Sequence, residues 1–430
     1  QVMEAGALCT LSEKNLGEVD FPYIQVESSL QALKDIAQLY RANLDIKVVG
    51  ITGSVGKTST KETIASVLAQ KYRVLKTDAN FNNELGLSLT VFRLREEDEM
   101  AVLEMGIDDF GQMHRLAKIA RPETAVITNI GWCHLENLKT RDGILQAKTE
   151  IFDHLRENGH IIINGDDDKL STVGTVHGIK PVHFGLDEKN EYYADEIESQ
   201  GFRGISCRIH TPQGSFSALI PIPGRHMVYN ALAGTAVGCT YGLTLEQIKQ
   251  GIETLQSVSG RFHIIETGKY TVVDDCYNAN PVSMKASLDV LKEAKGRKVA
   301  VLGDMGELGT DEAALHAEVG THAGTCGIDA LYCAGPLCEH LAKAAKVVQP
   351  VFKPTGFADR WEPVASLVPS VIAKETVVAF FGQVLLQQQE EEAVEGEEEE
   401  AEEYNFLADT FGQVKDLGVA AIDSVKALVN

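Results

Sequence analysis

The stretch that most limits what this chain can fold into is VVGITGSVGKTSTKE, residues 48–62. A short β-branched run meets a glycine turn, a Lys-Thr pair and then helix-forming residues. That order matches a strand whose carboxyl end turns straight into a helix N-terminus, the layout of a phosphate-binding loop. The strict spacing G-x-x-x-x-G-K-[ST] fails, because its first glycine would fall at Ile51. The shorter form Gly53-Ser54-Val55-Gly56-Lys57-Thr58 keeps the working parts. Glycines let backbone N–H groups curl around phosphate oxygens, Lys57 can neutralise the terminal phosphates, and Thr58 can hold Mg2+. Ile64, Val67 and Leu68 share one face of the following helix, as packing on a sheet requires. A glycine turn that merely happens to precede Lys-Thr would not bring that context with it.

The same alternation continues along the chain. IKVVGIT, MAVLEMG, TAVITNIG and HIIIN read as strands separated by helical stretches such as TIASVLAQ, which indicates a mostly parallel sheet covered by helices. Around 190–222 the pattern is strand and turn only (FRGISCRIHTPQGSFSALIPIPG), an antiparallel excursion. Helical spacing from about 226 to 256 leads to VSGRFH, a domain boundary, and TVVDDCYN, KVAVLGDMG and DALYCAG then supply strands of a second block. The expected fold class is therefore α/β: a central P-loop mononucleotide-binding domain with a parallel sheet, followed by a smaller Rossmann-like α/β domain. Residues 1–44 are short for a domain and carry one amphipathic pattern, with Leu30, Leu33, Ile36, Ala37 and Tyr40 on one face. Leu407, Phe411, Val414, Leu417, Ile422, Val425 and Leu428 repeat helical spacing at the other end, as a surface helix or docking tail for a protein partner would.

Composition narrows the function classes. At 430 residues, 44% apolar and 23% charged, the chain is long enough for two or three cores. Its net charge of −23 argues against a nucleic-acid or anionic-membrane surface, and removing the ten glutamates of residues 390–403 takes −23 only to −13. That glutamate run reads as a solvated linker. The eight cysteines show no CxxC and no regular spacing, which suits reduced thiols. No stretch has the length of a membrane span and no signal-peptide profile opens the chain, so the expectation is a cytoplasmic protein, acting as a monomer. Gln1 at the start suggests a processed or incomplete N-terminus.

Other polar residues fall at strand ends, where ligands bind in open α/β sheets. Glu104 ends MAVLE, His134 follows TAVITNIG, and Lys148 lies in LQAKTEIF, where Leu145, Lys148, Ile151 and Phe152 could share a helical face. A carboxylate, a neutral imidazole and a P-loop threonine are suitable ligands for Mg2+. Taken singly, His134 reads as a structural histidine and Lys148 as a salt-bridging lysine. A GTPase would want DxxG, and Asp108-Asp109-Phe110-Gly111 supplies it, but the chain has no NKxD guanine reader. Composition and spacing stop at an Mg-nucleotide site of open purpose.

The ordered motifs go further. GITGSVGKTSTKE (50–62), NFNNELGLSLT (80–90), AVLEMG (101–106), AVITNIGWCHLEN (125–137), AKTEIF (147–152), PGRHMVYNALA (223–233), GRF (260–262), DDCYNANP (274–281) and VLGDMGELG (301–309) resemble the Mur ligase superfamily, in its order, over roughly residues 5–340. That superfamily joins amino acids or peptides to a growing carboxylate using ATP. NFNNELG and YNANP are most similar to the branch that adds D-alanyl-D-alanine to UDP-N-acetylmuramoyl-tripeptide. The resemblance implies that Gly53, Ser54, Val55, Gly56, Lys57, Thr58 and Ser59 wrap the ATP phosphates. It implies two Mg2+ sites, one held by Thr58 and Glu104, the other by Glu104 and His134 with a carbamylated Lys148. Lys57, Glu104, His134 and Lys148 would be the catalytic set. Asn230 would reach the adenine ring, Arg261 and Asp275 the phosphate and ribose, Asn82 and Asn83 the UDP-muramoyl-peptide, and Asn278 and Asn280 the incoming dipeptide. The domains then read as 1–44, a remnant of an N-terminal UDP-substrate-binding domain; 45–258, the ATP-binding domain; 259–385, the ligase domain, divergent after about 353; and 386–430, an acidic linker with a helical tail.

Met227 stands where the family's GRH is usually followed by Asn, and residues 354–430 lack the family's usual C-terminal segment. Two other readings accommodate these departures: a truncated, non-catalytic nucleotide-binding relative acting through its tail, and a related ligase of the folylpolyglutamate synthase type. The intact Lys57, Glu104, His134 and Lys148 oppose the first; NFNNELG and YNANP oppose the second.

Overall fold

The computed structural model describes residues 6–348. The glutamate run, the helical pattern of the tail and the last part of the expected ligase domain lie outside them. Two short strands, β1 (Thr10–Ser12) and β2 (Tyr23–Gln25), pair in parallel ahead of helix α1 (Ser29–Ala42). Ser28 caps α1 by accepting from the Gln31 N–H. Ala37 and Arg41 are its buried residues, while Leu30 and Ile36 stay exposed, so the face expected from spacing is corrected. The helix is turned by Arg41, whose guanidinium donates to the carbonyls of Ala120 (3.1 Å), Leu44 (2.9 Å) and Ile46 (2.7 Å). Burial pushes that guanidinium down to about 10.

β3 (Lys47–Thr52) buries every residue after Lys47, which is why it reads as an unbroken apolar run. Such runs belong to parallel strands covered on both faces. α2 (Lys57–Leu68) follows the glycine turn. The chain continues through β4 (Val74–Lys76), α3 (Glu84–Val91), β5 (Met100–Glu104), α4 (Gln112–Ala120), β6 (Thr124–Ile127), α5 (Leu135–Leu138), α6 (Arg141–Thr149), β7 (His160–Asn164) and β8 (Val182–Gly185). β9 (Tyr192–Ser199), β10 (Ile205–Thr211) and β11 (Gly214–Ile220) complete a nine-stranded sheet of order β11-β10-β9-β8-β7-β6-β3-β5-β4. Its seven strands from β9 to β4 are parallel, and β10 and β11 add the antiparallel excursion. The strand order reverses at β3, flanked by β6 and β5, so the loop after β3 opens where an open α/β sheet binds ligands.

Alternate residues of β3 feed two cores. Val49 and Ile51 pack with α2 and with α7 (His226–Thr240) and α8 (Leu245–Glu253), whereas Val48 joins Leu87, Leu103, Leu116 and Ile144 on the other face. α7 is buried nearly all round. Its Gly234 and Gly238 lie where a Cβ would meet Thr63 Cγ2 at 3.0 Å and Val67 Cγ1 at 2.9 Å, so small residues let α7 lie close on α2. The helical spacing expected over 226–256 is thus two helices, parted at Gly242, with Thr244 and Gln247 forming a capping box that starts the second.

The second block contains β12 (His263–Glu266), β13 (Thr271–Asp274), α9 (Pro281–Glu293), β14 (Val299–Gly303), α10 (Glu312–Thr325), β15 (Ala330–Ala334) and α11 (Cys338–Val348). β14 and β15 are parallel and joined through α10, as an α/β unit requires, around a core of Met284, Leu288, Ala300, Val319 and Leu341. β12 and β13 form a separate antiparallel pair, and Phe262 beside them packs into the first core instead. Among the described residues no helix is long and apolar enough to cross a membrane.

Candidate active site

The loop after β3 is built for close backbone approach. Gly53 has φ 151°, and a Cβ there would lie 1.9 Å from Thr128 Oγ1. Gly56 takes a left-handed φ of 82° and caps α2 without a side chain. The segment after β6 braces the loop. Ser54 N–H donates to the Asn129 carbonyl (3.0 Å) and Val55 N–H to Asn129 Oδ1 (3.0 Å), while Thr128 Oγ1 and Asn129 Nδ2 donate to the Val55 carbonyl at 2.7 and 2.9 Å. The first N–H groups of α2, those of Lys57, Thr58 and Ser59, are the helix-start donors available to an anion. Lys57 Nζ folds back onto the carbonyls of Gly53 (2.9 Å) and Ser54 (3.4 Å). Burial holds this ammonium below the usual lysine range, partly offset by the Glu104 carboxylate.

Glu104, at the end of β5, is buried. Its Oε1 accepts from Asn82 Nδ2 at 2.8 Å, and its Oε2 has no hydrogen-bond partner. Its own N–H donates to Thr77 Oγ1 at 3.0 Å. On α2, buried Lys61 donates to the Thr77 carbonyl at 2.7 Å and lies 4.0 Å from Glu104 Oε2.

His134 sits at φ 52° ahead of α5, with Nδ1 2.6 Å from Glu307 Oε2, a close contact without hydrogen-bond alignment. Burial lowers its pKa against the pull of Glu307, and the charges of Lys148 and Lys57 lower it further. The imidazole is therefore neutral at pH 7, the form that binds metals. Lys148 is fully buried on α6, and its Nζ has no hydrogen-bond partner. Burial, then the Lys57 charge, bring it down to about 8. Lys57, Glu104, His134 and Lys148 thus come together closely enough for their charges to act on one another.

The second block reaches the same loop. Arg261 Nη2 approaches Thr58 Oγ1 at 3.5 Å, and its guanidinium carbon lies 4.0 Å from the centre of the Tyr277 ring. Asp275 accepts from the Phe262 N–H (3.1 Å) and from Ser287 Oγ, which fixes the turn carrying Arg261; burial raises its pKa. The five asparagines divide. Asn82 is drawn to Glu104, and Asn230 accepts from Thr60 Oγ1 (2.9 Å) while donating to Met227 Sδ (3.2 Å). Asn83 caps α3 by accepting from the Gly86 N–H, and Asn280 caps α9 in a box with Ser283. Asn278 Oδ1 accepts from the N–H of Ala279. Residue typing passed over Lys61, Thr77, Asn129 and Glu307. Of these, Lys61 carried a signal, four residues after Lys57 on one helix face.

The donor set suits Mg2+ with ATP. Buried Glu104 Oε2, Lys148 Nζ and the loop-end Thr52 Oγ1 have no hydrogen-bond partners, and a Cβ at Gly53 would fill the cradle. Carboxylate oxygens, a threonine hydroxyl and a neutral imidazole match a hard divalent ion.

Comparison with known proteins identifies the family. The family model described as Mur ligase middle domain matches residues 51–238, and that described as Mur ligase, glutamate ligase domain matches residues 260–384, past the point near 353 where the motifs fade. The UDP-N-acetylmuramoyl-tripeptide–D-alanyl-D-alanine ligase of Bacillus subtilis is 37% identical over 350 residues, 80% of this chain and 75% of that one. The enzyme of the same name from Escherichia coli is 36% identical over 349 residues, 81% and 77% of the two chains. The crystal structure of MurF ligase from Thermotoga maritima in complex with ADP superposes with a TM-score of 0.72 at 30% identity, covering 79% of this chain and 78% of that one.

Proposed function

The chain belongs to the Mur ligase family and is an ATP-dependent amide ligase of peptidoglycan precursor synthesis, and we propose that it joins D-alanyl-D-alanine to UDP-N-acetylmuramoyl-tripeptide through the residues described above. The observation that carries the assignment of roles is the pair of orphaned buried atoms, Glu104 Oε2 and Lys148 Nζ, on groups that share the electrostatic field of Lys57.

A carboxylate is a poor electrophile, so the γ-phosphoryl group of ATP first passes to the tripeptide carboxylate to give an acyl phosphate. Gly53 through Ser59 cradle the phosphates with backbone N–H groups, and Lys57 leaves its own loop carbonyls to meet the charge that develops during transfer. Thr58 and Glu104 would hold one Mg2+, and Glu104 and His134 a second, joined by Lys148 once its neutral amine has taken up CO2 as a carbamate and released a proton. When bound, the metals would supply positive charge to offset that on the phosphoryl oxygens and on the attacked carbonyl oxygen. Asn82 fixes Glu104 from the side where the UDP-muramoyl-peptide enters. Arg261, steered by Asp275 and Tyr277, closes the nucleotide side and keeps water from the acyl phosphate. The dipeptide amine, held near Asn278 and Asn280, then attacks, and phosphate leaves. The use of ATP and a UDP-linked peptide supports a reaction in the cytoplasm.

The experiment is phosphate release from Mg-ATP with the UDP-muramoyl-tripeptide and D-Ala-D-Ala added singly and together. Release that requires both is expected. Release with neither, or none with both, would overturn the reading.

A further inference from the structure

Lys61 is almost completely buried on α2, three residues beyond Thr58 and four beyond Lys57. Burying an ammonium is unfavourable unless fixed oxygens replace its water. Three do so here: the Thr77 carbonyl at 2.7 Å, Glu62 Oε1 at 3.1 Å and Glu104 Oε2 at 4.0 Å. The other groups around it are already engaged. Glu62 Oε2 is paired with Lys76, Thr77 Oγ1 receives the Glu104 N–H, and Asn82 occupies Glu104 Oε1. Glu104 Oε2 alone is left with no hydrogen bond, facing the Lys61 charge.

We infer that Lys61 is a positioning residue for the divalent-metal site: its buried charge holds the Glu104 carboxylate in place, with Oε2 left open, before the metal arrives. The inference rests on the reading of Glu104 as a metal ligand. Helix α2 makes the arrangement effective. Thr58, which offers the metal a hydroxyl, and Lys61, which sets the carboxylate, ride on one rigid element, so hydroxyl and carboxylate keep a fixed relation. The 4.0 Å separation matters as well: a direct hydrogen bond would occupy the oxygen, whereas a charge one step back orients it and leaves its lone pairs available.

The test is equilibrium binding of a fluorescent ADP analogue to the full chain, titrated with Mg2+ and, separately, without it. Lys61→Gln is expected to raise the Mg2+ midpoint about tenfold, the usual scale for a residue that orients a metal ligand. Metal-free ADP affinity should stay within about twofold, a split that a general loss of structure does not produce. Glu104→Gln serves as the control. A midpoint raised by Glu104→Gln but unmoved by Lys61→Gln overturns the role of Lys61 and spares the metal reading. If neither variant moves it, both fall. Should Lys61→Gln fail to show a folded melting transition, Lys61→Met, which keeps the packing of the stem, is judged by the same comparison.

Discussion

Arg261 Nη2 meets Thr58 Oγ1 at 3.5 Å although 203 residues separate them along the chain. The contact links the start of the phosphate loop's helix to the segment that opens the second block, and the Tyr277 ring lies 4.0 Å from the same guanidinium.

Removing that guanidinium should weaken the nucleotide more than the fold. Arg261→Ala is expected to raise KM for ATP about tenfold, or ~1.4 kcal/mol. Arg261→Lys should recover little, because a point charge neither stacks on Tyr277 nor forks onto phosphate. Steady-state kinetics at saturating peptide substrates measure this, and an unchanged KM in the alanine variant rules the contact out of nucleotide binding.

On the proposed reading, Lys57 acts on charge that appears only during transfer. Lys57→Met should therefore lower kcat by about 10²–10³ while ADP affinity falls far less. Single-turnover phosphate transfer set beside ADP titration separates the two effects; equal losses in both would make Lys57 a simple binding group.

Lys148 supplies a pH signature. With its amine near 8, about a tenth is neutral at pH 7, and carbamylation needs the neutral form. At a fixed concentration of dissolved CO2, recovery of activity in CO2-stripped enzyme should quicken about fivefold from pH 7 to 8 and level off by about pH 9. Stability follows the same shift. The ordinary lysine value of 10.5 means that the unfolded chain binds more protons between about 8 and 10.5, so the cost of burying this charge is relieved, and stability rises, as pH rises through that window. In Lys148→Met the rise should be missing. Urea melts of both proteins at pH 7.5 and 10 provide the comparison, and parallel curves would contradict it.

Gly53→Ala places a methyl group 1.9 Å from Thr128 Oγ1 at a φ that side chains rarely adopt. A loss of about 2–3 kcal/mol of stability is expected, together with loss of nucleotide binding. A variant with the parent's urea midpoint and ADP affinity would show that the loop tolerates a side chain.

Asn83 separates two roles. As the cap of α3 it should be replaceable by aspartate with stability kept to within about 0.5 kcal/mol, since both side chains accept the N–H bond. A role in holding the UDP-peptide predicts that Asn83→Asp nevertheless raises KM for that substrate several-fold. An unchanged KM would leave Asn83 a cap and nothing more.

What could be read from residues alone tracks how local each feature is. Strand, glycine turn and helix at 47–68 are consecutive, so their signals sit in one window, and the same holds for the parallel strands that follow. Glu104, His134 and Lys148 stand on three different elements; spacing offered each as a single polar residue, and only the ordered motifs joined them. Lys61 was harder still, because its partners Thr77 and Glu104 follow and end strands that no pattern brings beside α2. The caps were within reach. Asn280 before Pro281 is a helix-start signature, and it competes with a reading of that asparagine as purely a ligand contact. Apolar spacing misplaced the face of α1, since a buried arginine turned it and no periodicity rule counts arginine as core.

The ammonium of Lys57 is bonded to the carbonyls of Gly53 and Ser54, in the loop proposed to receive phosphate. The loop is therefore latched by its own cation. A phosphate entering it exchanges partners with that cation rather than adding to a bare charge, so part of its attraction is spent opening the latch. Small anions such as inorganic phosphate gain little by this exchange, whereas a nucleotide also gains the contacts of the second block. On the proposed reading, discrimination against small anions would begin with a lysine that grips its own backbone.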